Sequence, residues 1–139
     1  MDETDKKILN LLKENARMPY SEIAQKVALS APAVKERITK LEESGIIDKY
    51  TIQLNYQKMG KNVTALIMFE TVNCKAFREF CAQQTGVLEY YRIAGKYSYL
   101  VKVVMENMAQ LETFIDESLR FGTPSTHIVF SSATNDFIE

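Results

Sequence analysis

The 139-residue sequence has no tryptophan, one histidine and two cysteines, and each scarcity removes a class of protein. The lone imidazole, His127, has neither a Cys-x-x-Cys pair nor a second histidine to complete a metal shell. No metal site is therefore expected, and His127 reads as a polar side chain on the last strand. Cys74 and Cys81 fall on what reads as one helix, where a shared disulfide is geometrically implausible. They read as small buried hydrophobes of a reducing cytoplasm. No apolar run approaches the roughly 18 residues of a membrane helix. The acidic start, Met1-Asp2-Glu3-Thr4-Asp5, is the reverse of a basic secretory leader. Neither secretion nor a membrane is expected, and Asn62-Val63-Thr64 is then a chance match to a glycosylation sequon. Nucleophile elbow, phosphate loop and Gly-x-Gly-x-x-Gly are all missing, so no catalytic residue and no cofactor is expected. A dominant charge is absent too, with 17 basic against 18 acidic side chains. That excludes nucleic-acid binding by bulk positive charge, though not by a local basic face.

What is present is globular. The chain is 46% hydrophobic and 25% charged, with length for one ordinary domain or two small ones. Ile8, Leu9, Leu12 and Ala16 recur at helical spacing until Arg17-Met18-Pro19 stops the helix. Ser21 reads as the N-cap of a short helix carrying Ile23, Ala24 and Val27. After a tight Ala28-Leu29 connection, Ser30 caps a third helix, with Pro32 in its first turn. Val34, Ile38 and Leu41 stripe that helix's inner face, and Gly45 ends it. Two helices of about 8 and 14 residues joined by a turn of about three have the spacing of a helix-turn-helix.

From Tyr50 the period changes. Tyr50, Ile52 and Leu54 alternate with polar residues as a strand would, and Asn55 to Gly60 is turn-rich. The second half then reads in order: a strand at Ala65–Phe69; a helix with Cys74, Phe77, Phe80 and Cys81, ending at Gly86; strands Val87–Ala94 and Tyr97–Met105 joined tightly at Gly95-Lys96. A helix capped by Asn107, with Met108, Leu111, Ile115 and Leu119 inward, follows and stops at Gly122-Thr123-Pro124. Thr126, Ile128 and Phe130 alternate in a last strand, completing the β-α-β-β-α-β order of a ferredoxin-like unit. The expected class is α+β: residues 1–49 a helix-turn-helix domain, 50–62 a strand and linker, and 63–139 a ferredoxin-like domain.

That sheet is apolar on both faces. Leu100 and Val104 point one way, and Tyr97, Tyr99, Val101 and Val103 the other. Two helices cover only one face, so the other meets a second sheet, most economically in a dimer, or stays a partly wet face. Tyr90, Tyr91, Tyr97 and Tyr99 gather round the hairpin, either as packing or as a pocket wall.

Asp2-Glu3-Thr4-Asp5 with Ile8-Leu9, then Ser21-Glu22-Ile23-Ala24, Leu29-Ser30 and the run Val34 to Ile47, resemble the opening of the Lrp/AsnC (feast/famine) transcription regulators. Gly95-Lys96-Tyr97-Ser98-Tyr99-Leu100 is similar to the family's Gly-x-Tyr-Asp-Tyr-Leu signature, and the likeness spans essentially the whole chain. The resemblance implies a winged-helix-like DNA-binding domain and homodimers that assemble into tetramers or octamers. It also implies a free amino acid or similar effector bound in the second half, where Gly95, Tyr97, Ser98 and Tyr99 match the signature. Ser98 stands where the family usually has aspartate, and serine supplies no charge for an ammonium group. Either the effector differs, another acid takes that role, or nothing is sensed.

A recognition helix reads the major groove of double-stranded DNA with outward side chains near its start. With Val34, Ile38 and Leu41 inward, those are Ala31, Ala33, Lys35, Glu36, Arg37 and Lys40. Lys35 and Arg37 suit guanine edges or phosphates, Lys40 a phosphate, Ala33 a thymine methyl and Glu36 a cytosine amine. Ser30 and Ser21, at two helix starts, suit phosphates. The same charges would also make an ordinary solvated helix face. The competing functions are a loosely specific DNA-wrapping protein, a metabolite sensor without DNA binding, and an enzyme resembling haem-pathway decarboxylases. The last would set Arg92, Tyr97 and His127 on a porphyrin and leave the basic reading helix unexplained.

Overall fold

Asp2 starts the first helix by a reciprocal cap. Its carboxylate accepts the Asp5 N–H at 2.8 Å, while the Asp5 carboxylate accepts the Asp2 N–H at 2.9 Å. The computed structural model describes residues 1–134 and 138–139 and divides into two compact units. One is Met1–Gln53 with Ala133–Glu139; the other is Leu54–Ser132.

In the first unit, α1 (Glu3–Glu14), α2 (Tyr20–Val27) and α3 (Ala31–Glu43) close round Ile8, Met18, Ile23, Ala24, Val34 and Ile38. Pro19, not Ser21, is the residue before α2. Its extended backbone offers its carbonyl to the N–H groups of Glu22 and Ile23, so the helix begins at Tyr20 and Ser21 is its second residue. The turn into α3 runs through Ala28 in the left-handed region (φ 55°), where a side chain costs about 1–2 kcal/mol. Ser30 caps α3, and Gly45 (φ 73°) follows its C-cap. The C-terminal segment returns to this unit: the Asn10 side-chain amide donates to the Ile138 carbonyl at 3.0 Å and accepts its N–H at 2.7 Å.

The expected strand at Tyr50–Leu54 does not form. No strand is assigned between α3 and Val63, and Tyr50, Ile52 and Leu54 are exposed. Alternation marks a segment fit to pair, but a strand exists only through a ladder, and this segment has none among the described residues.

The second unit opens with a short 3-10 turn at Gln57–Met59 and continues as β1 (Val63–Glu70), α4 (Cys74–Gln83), β2 (Val87–Arg92), β3 (Tyr99–Met105), α5 (Met108–Ser118) and β4 (Thr123–Ile128). The sheet is antiparallel in the order β2-β3-β1-β4, the ferredoxin-like arrangement. Register puts Ala65, Ile67 and Phe69 beside Val103, Val101 and Tyr99, and all six are buried under α4 and α5. Phe77 joins the layers, its ring 4.7 Å from those of both Phe69 and Tyr99. Cys81 is buried in the same core, and burial pushes its thiol up to about 11.

Three expectations in this unit need correction. The hairpin is wider than a Gly95-Lys96 turn: the ladder ends at Arg92 and Tyr99, and Ile93–Ser98 connects them. The Ser98 N–H goes to the Phe69 carbonyl at 2.8 Å, while its carbonyl accepts the Ile93 N–H across the hairpin at 2.9 Å, so its two backbone groups serve different strands. On α5 Leu111 and Ile115 face inward as expected, joined by Phe114 and Ser118, whereas Met108 and Leu119 are exposed. Phe114 fills the core at i+3, and the Ser118 hydroxyl is satisfied by the Ile115 carbonyl at 2.7 Å. Phe130 lies beyond β4 and is almost fully exposed.

Gly122 is required by space rather than by φ. A Cβ there would lie 2.8 Å from the Glu70 carbonyl oxygen, a backbone atom that cannot move without β1. Gly122→Ala is expected to lower unfolding free energy by about 1–3 kcal/mol, seen as a lower urea midpoint with an unchanged slope.

Candidate nucleic-acid interface and effector region

The surface that α3 offers is fixed from both ends. The Ser30 Oγ accepts the Ala33 N–H at 3.3 Å, which leaves its own proton free to donate. Val34, Ile38 and Leu41 are buried, so the opposite face points outward, and Pro32, Lys35, Glu36, Thr39, Lys40 and Glu43 line a shallow groove along it. Lys35 is exposed and has no carboxylate within ion-pair distance among the described residues. Lys40 and Glu36 pair at 2.7 Å, one turn apart and both well exposed. The Lys40 ammonium holds the Glu36 carboxyl below the usual carboxylate range.

Arg37 is elsewhere. Its Nη1 donates to Asp2 at 2.8 Å and Asp5 at 2.7 Å, so the guanidinium lies in the seam between α3 and the start of α1. The two carboxylates hold its pKa above the ordinary value, and the Asp5 N–H, helped by the Arg37 guanidinium, holds the Asp2 carboxyl below its own. Lys35, Glu36 and Lys40 thus share the outer face, while Ala33 and Arg37 flank the α1 side. Ser21 is exposed near the start of α2. Thr39 is a further outward residue, legible from its place four after Lys35 and away from the Val34-Ile38-Leu41 stripe.

The hairpin residues divide similarly. Gly95 is exposed with φ 127°, and Tyr97 is half-buried with the Lys96 ammonium 5.4 Å from its ring centroid. The Ser98 hydroxyl donates to the Thr71 carbonyl at 3.2 Å, which secures β3 to the end of β1. Tyr99 is wholly buried, and its hydroxyl accepts from Arg78 at 3.0 Å.

A helix-turn-helix with an exposed reading helix, followed in the chain by a ferredoxin-like unit, defines a two-part DNA-binding regulator. Residues 1–48 match the winged helix-turn-helix DNA-binding family, and residues 63–136 match the Lrp/AsnC ligand binding domain. The chain belongs to the Lrp/AsnC family of transcriptional regulators. It is 42% identical over 134 residues to the HTH-type transcriptional regulator YezC of Bacillus subtilis, covering 96% of each. The structure of B. subtilis LrpC superposes with a TM-score of 0.92 at 29% identity, over 96% of this chain and 97% of that one. A transcriptional regulator of Neisseria meningitidis, solved in complex with L-Met, superposes with a TM-score of 0.87 at 26% identity, over 98% and 94%. These relatives are regulators, which sets the decarboxylase reading aside. Among the described residues, no helix is long and apolar enough to cross a membrane.

Proposed function

We propose that this chain is a cytoplasmic, sequence-specific transcription regulator that reads duplex DNA with the outer face of α3, as a dimer built through the second unit. The observation that carries the reading is that outer face: Lys35 unpaired and exposed, Thr39 and Lys40 beside it, and Ser30 with a free hydroxyl proton at the helix start. Dimerisation is supported by the sheet face turned away from α4 and α5, where Met68 stands opposite Leu100 and Leu66 lies opposite the stem of Lys102. Further assembly to tetramers or octamers is the family's habit and is proposed for this chain as well. A free amino acid or related small effector at the hairpin around Gly95, Tyr97 and Ser98 is supported by the Lrp/AsnC ligand-binding match and the L-Met complex of the Neisseria regulator.

The test is fluorescence anisotropy of labelled duplexes at several salt concentrations, with a Lys35→Ala, Lys40→Ala double variant. Arg37 is left intact because it ties α3 to α1. The variant is expected to bind about 10-fold or more weakly, with a salt slope shallower by up to about 2 per engaged subunit. An unchanged slope would remove both lysines from the interface. Equal affinity for operator-containing and random fragments would favour a DNA-wrapping role instead.

A further inference from the structure

We propose that the base of the 93–98 hairpin binds a small organic carboxylate, one carrying no ammonium group, between Arg78 and Arg92. This rests on the effector reading above and narrows its ligand class. The two guanidiniums approach one buried anchor from different elements. Arg78, exposed on α4, donates from Nη1 to the Tyr99 hydroxyl at 3.0 Å. That hydroxyl is immobile, because the Tyr99 ring is wholly buried and stacked on Phe77 at 4.7 Å. One edge of the Arg78 guanidinium is therefore held in place, and its remaining donors are left for a ligand. Arg92 sits opposite Tyr99 in the β2–β3 register, its Cζ 6.0 Å from the same ring's centroid. Tyr90, on the same face of β2, meets Tyr99 edge-on at 6.0 Å.

Charge balance is what points to an anion. Among the described residues neither arginine has a carboxylate within 4.0 Å, and the acids of the neighbouring elements are engaged elsewhere. Glu70 faces Lys96 at 3.8 Å, Glu79 faces Lys75 at 4.0 Å, and Glu89 faces Lys102 at 3.6 Å. Two cations beside one tyrosine without a counter-charge repel each other, and a planar carboxylate offers the fork geometry that guanidinium takes best. The other end of the hairpin supplies no carboxylate to balance an ammonium. Ser98 carries no charge, and its hydroxyl, donated to the Thr71 carbonyl, could offer an ammonium only neutral lone pairs. A zwitterionic amino acid would bring a cation to a site that already holds two.

The experiment is isothermal titration calorimetry on the full chain. Succinate and 2-oxoglutarate serve as carboxylate probes, leucine, methionine and asparagine as zwitterions, and inorganic phosphate as the non-carboxylate anion. The same titrations are run on an Arg78→Gln, Arg92→Gln double variant and on Tyr99→Phe, with circular dichroism to confirm folding. At least one carboxylate is expected to bind; the double variant should lose about 10-fold or more of that affinity, and Tyr99→Phe, which frees Arg78, a smaller part. Equal binding by parent and double variant overturns the proposal, as does binding of phosphate alone. If only amino acids bind, the carboxylate assignment falls and the effector reading stands. If no probe binds or shifts DNA affinity, both fall. A double variant whose sole defect is a shallower salt slope for ligand-free DNA binding places the arginines on a DNA path and also overturns it.

Discussion

Leu100→Asp is expected to leave each chain folded but to abolish dimers at micromolar concentration and weaken operator binding about 100-fold or more. Leu100 stands in the middle of β3, opposite Met68 on β1 and Tyr91 on β2, on the face that neither α4 nor α5 covers. It is only half-buried in the single chain, so a carboxylate there still reaches water and the core behind it is untouched. In a two-fold interface every substitution occurs twice, and two carboxylates would enter one apolar contact without partners. A buried leucine contributes roughly 1.5–3 kcal/mol by area alone, so loss of the pair together with the charge penalty exceeds what a small dimer can absorb. The DNA effect follows from geometry. The outer face of α3 carries few cations, and Glu36 already neutralises Lys40. On the proposed interface one subunit would make few phosphate contacts, so tight binding is expected to depend on two reading helices held at a fixed spacing. Sedimentation velocity on the parent, Leu100→Asp and Leu100→Met separates the cases, since methionine conserves volume and apolarity. A dimeric Leu100→Asp variant would show that the assembly uses another surface.

Local chemistry made most of the fold legible, and long-range pairing hid the rest. The ends of α3 and the start of α5 could be read because their signals are short-range: Ser30 accepts from Ala33 and Asn107 from Gln110, three residues away. The β-α-β-β-α-β order followed from alternation and from turn residues such as Gly86 and Gly122. Alternation also separated Leu100 and Val104 from Tyr99, Val101 and Val103, and the register bears that out. Tyr50–Leu54 alternates without forming a strand, because alternation reports the capacity to pair and not the presence of a partner. No dipeptide signal carries the hairpin width, because Ser98 divides its backbone bonds, its N–H to the Phe69 carbonyl and its carbonyl to the Ile93 N–H, which sets the closing pair at 93 and 98. At the reading helix, periodicity separated inner from outer residues but placed Arg37 with the latter. Its partners, Asp2 and Asp5, are 35 and 32 residues away and belong to another helix. Asn10 and Ile138, 128 residues apart, are the extreme case.

Arg37 gives the second large effect, and its direction is decided by the aspartates. In the structure the guanidinium bridges α3 to the capped start of α1, and on the proposed interface it would hold the reading helix at a fixed angle. Arg37→Ala is then expected to weaken operator binding about 10-fold while leaving the salt slope unchanged, because no phosphate contact is lost. An Asp2→Asn, Asp5→Asn double variant should weaken binding in the same direction. Asparagine caps a helix about as well as aspartate, so α1 keeps its reciprocal cap while the ion pair disappears. The opposite mechanism makes the opposite prediction. If the aspartates merely occupied Arg37 until a phosphate displaced them, removing their charges would free the guanidinium and strengthen DNA binding, and Arg37→Ala would flatten the slope by about 1 per engaged subunit. The sign of the aspartate variant therefore separates a positioning arginine from a contacting one, and anisotropy at three salt concentrations suffices to read it. Lys35→Ala is the internal reference: its unpaired ammonium on the outer face should flatten the slope under either mechanism.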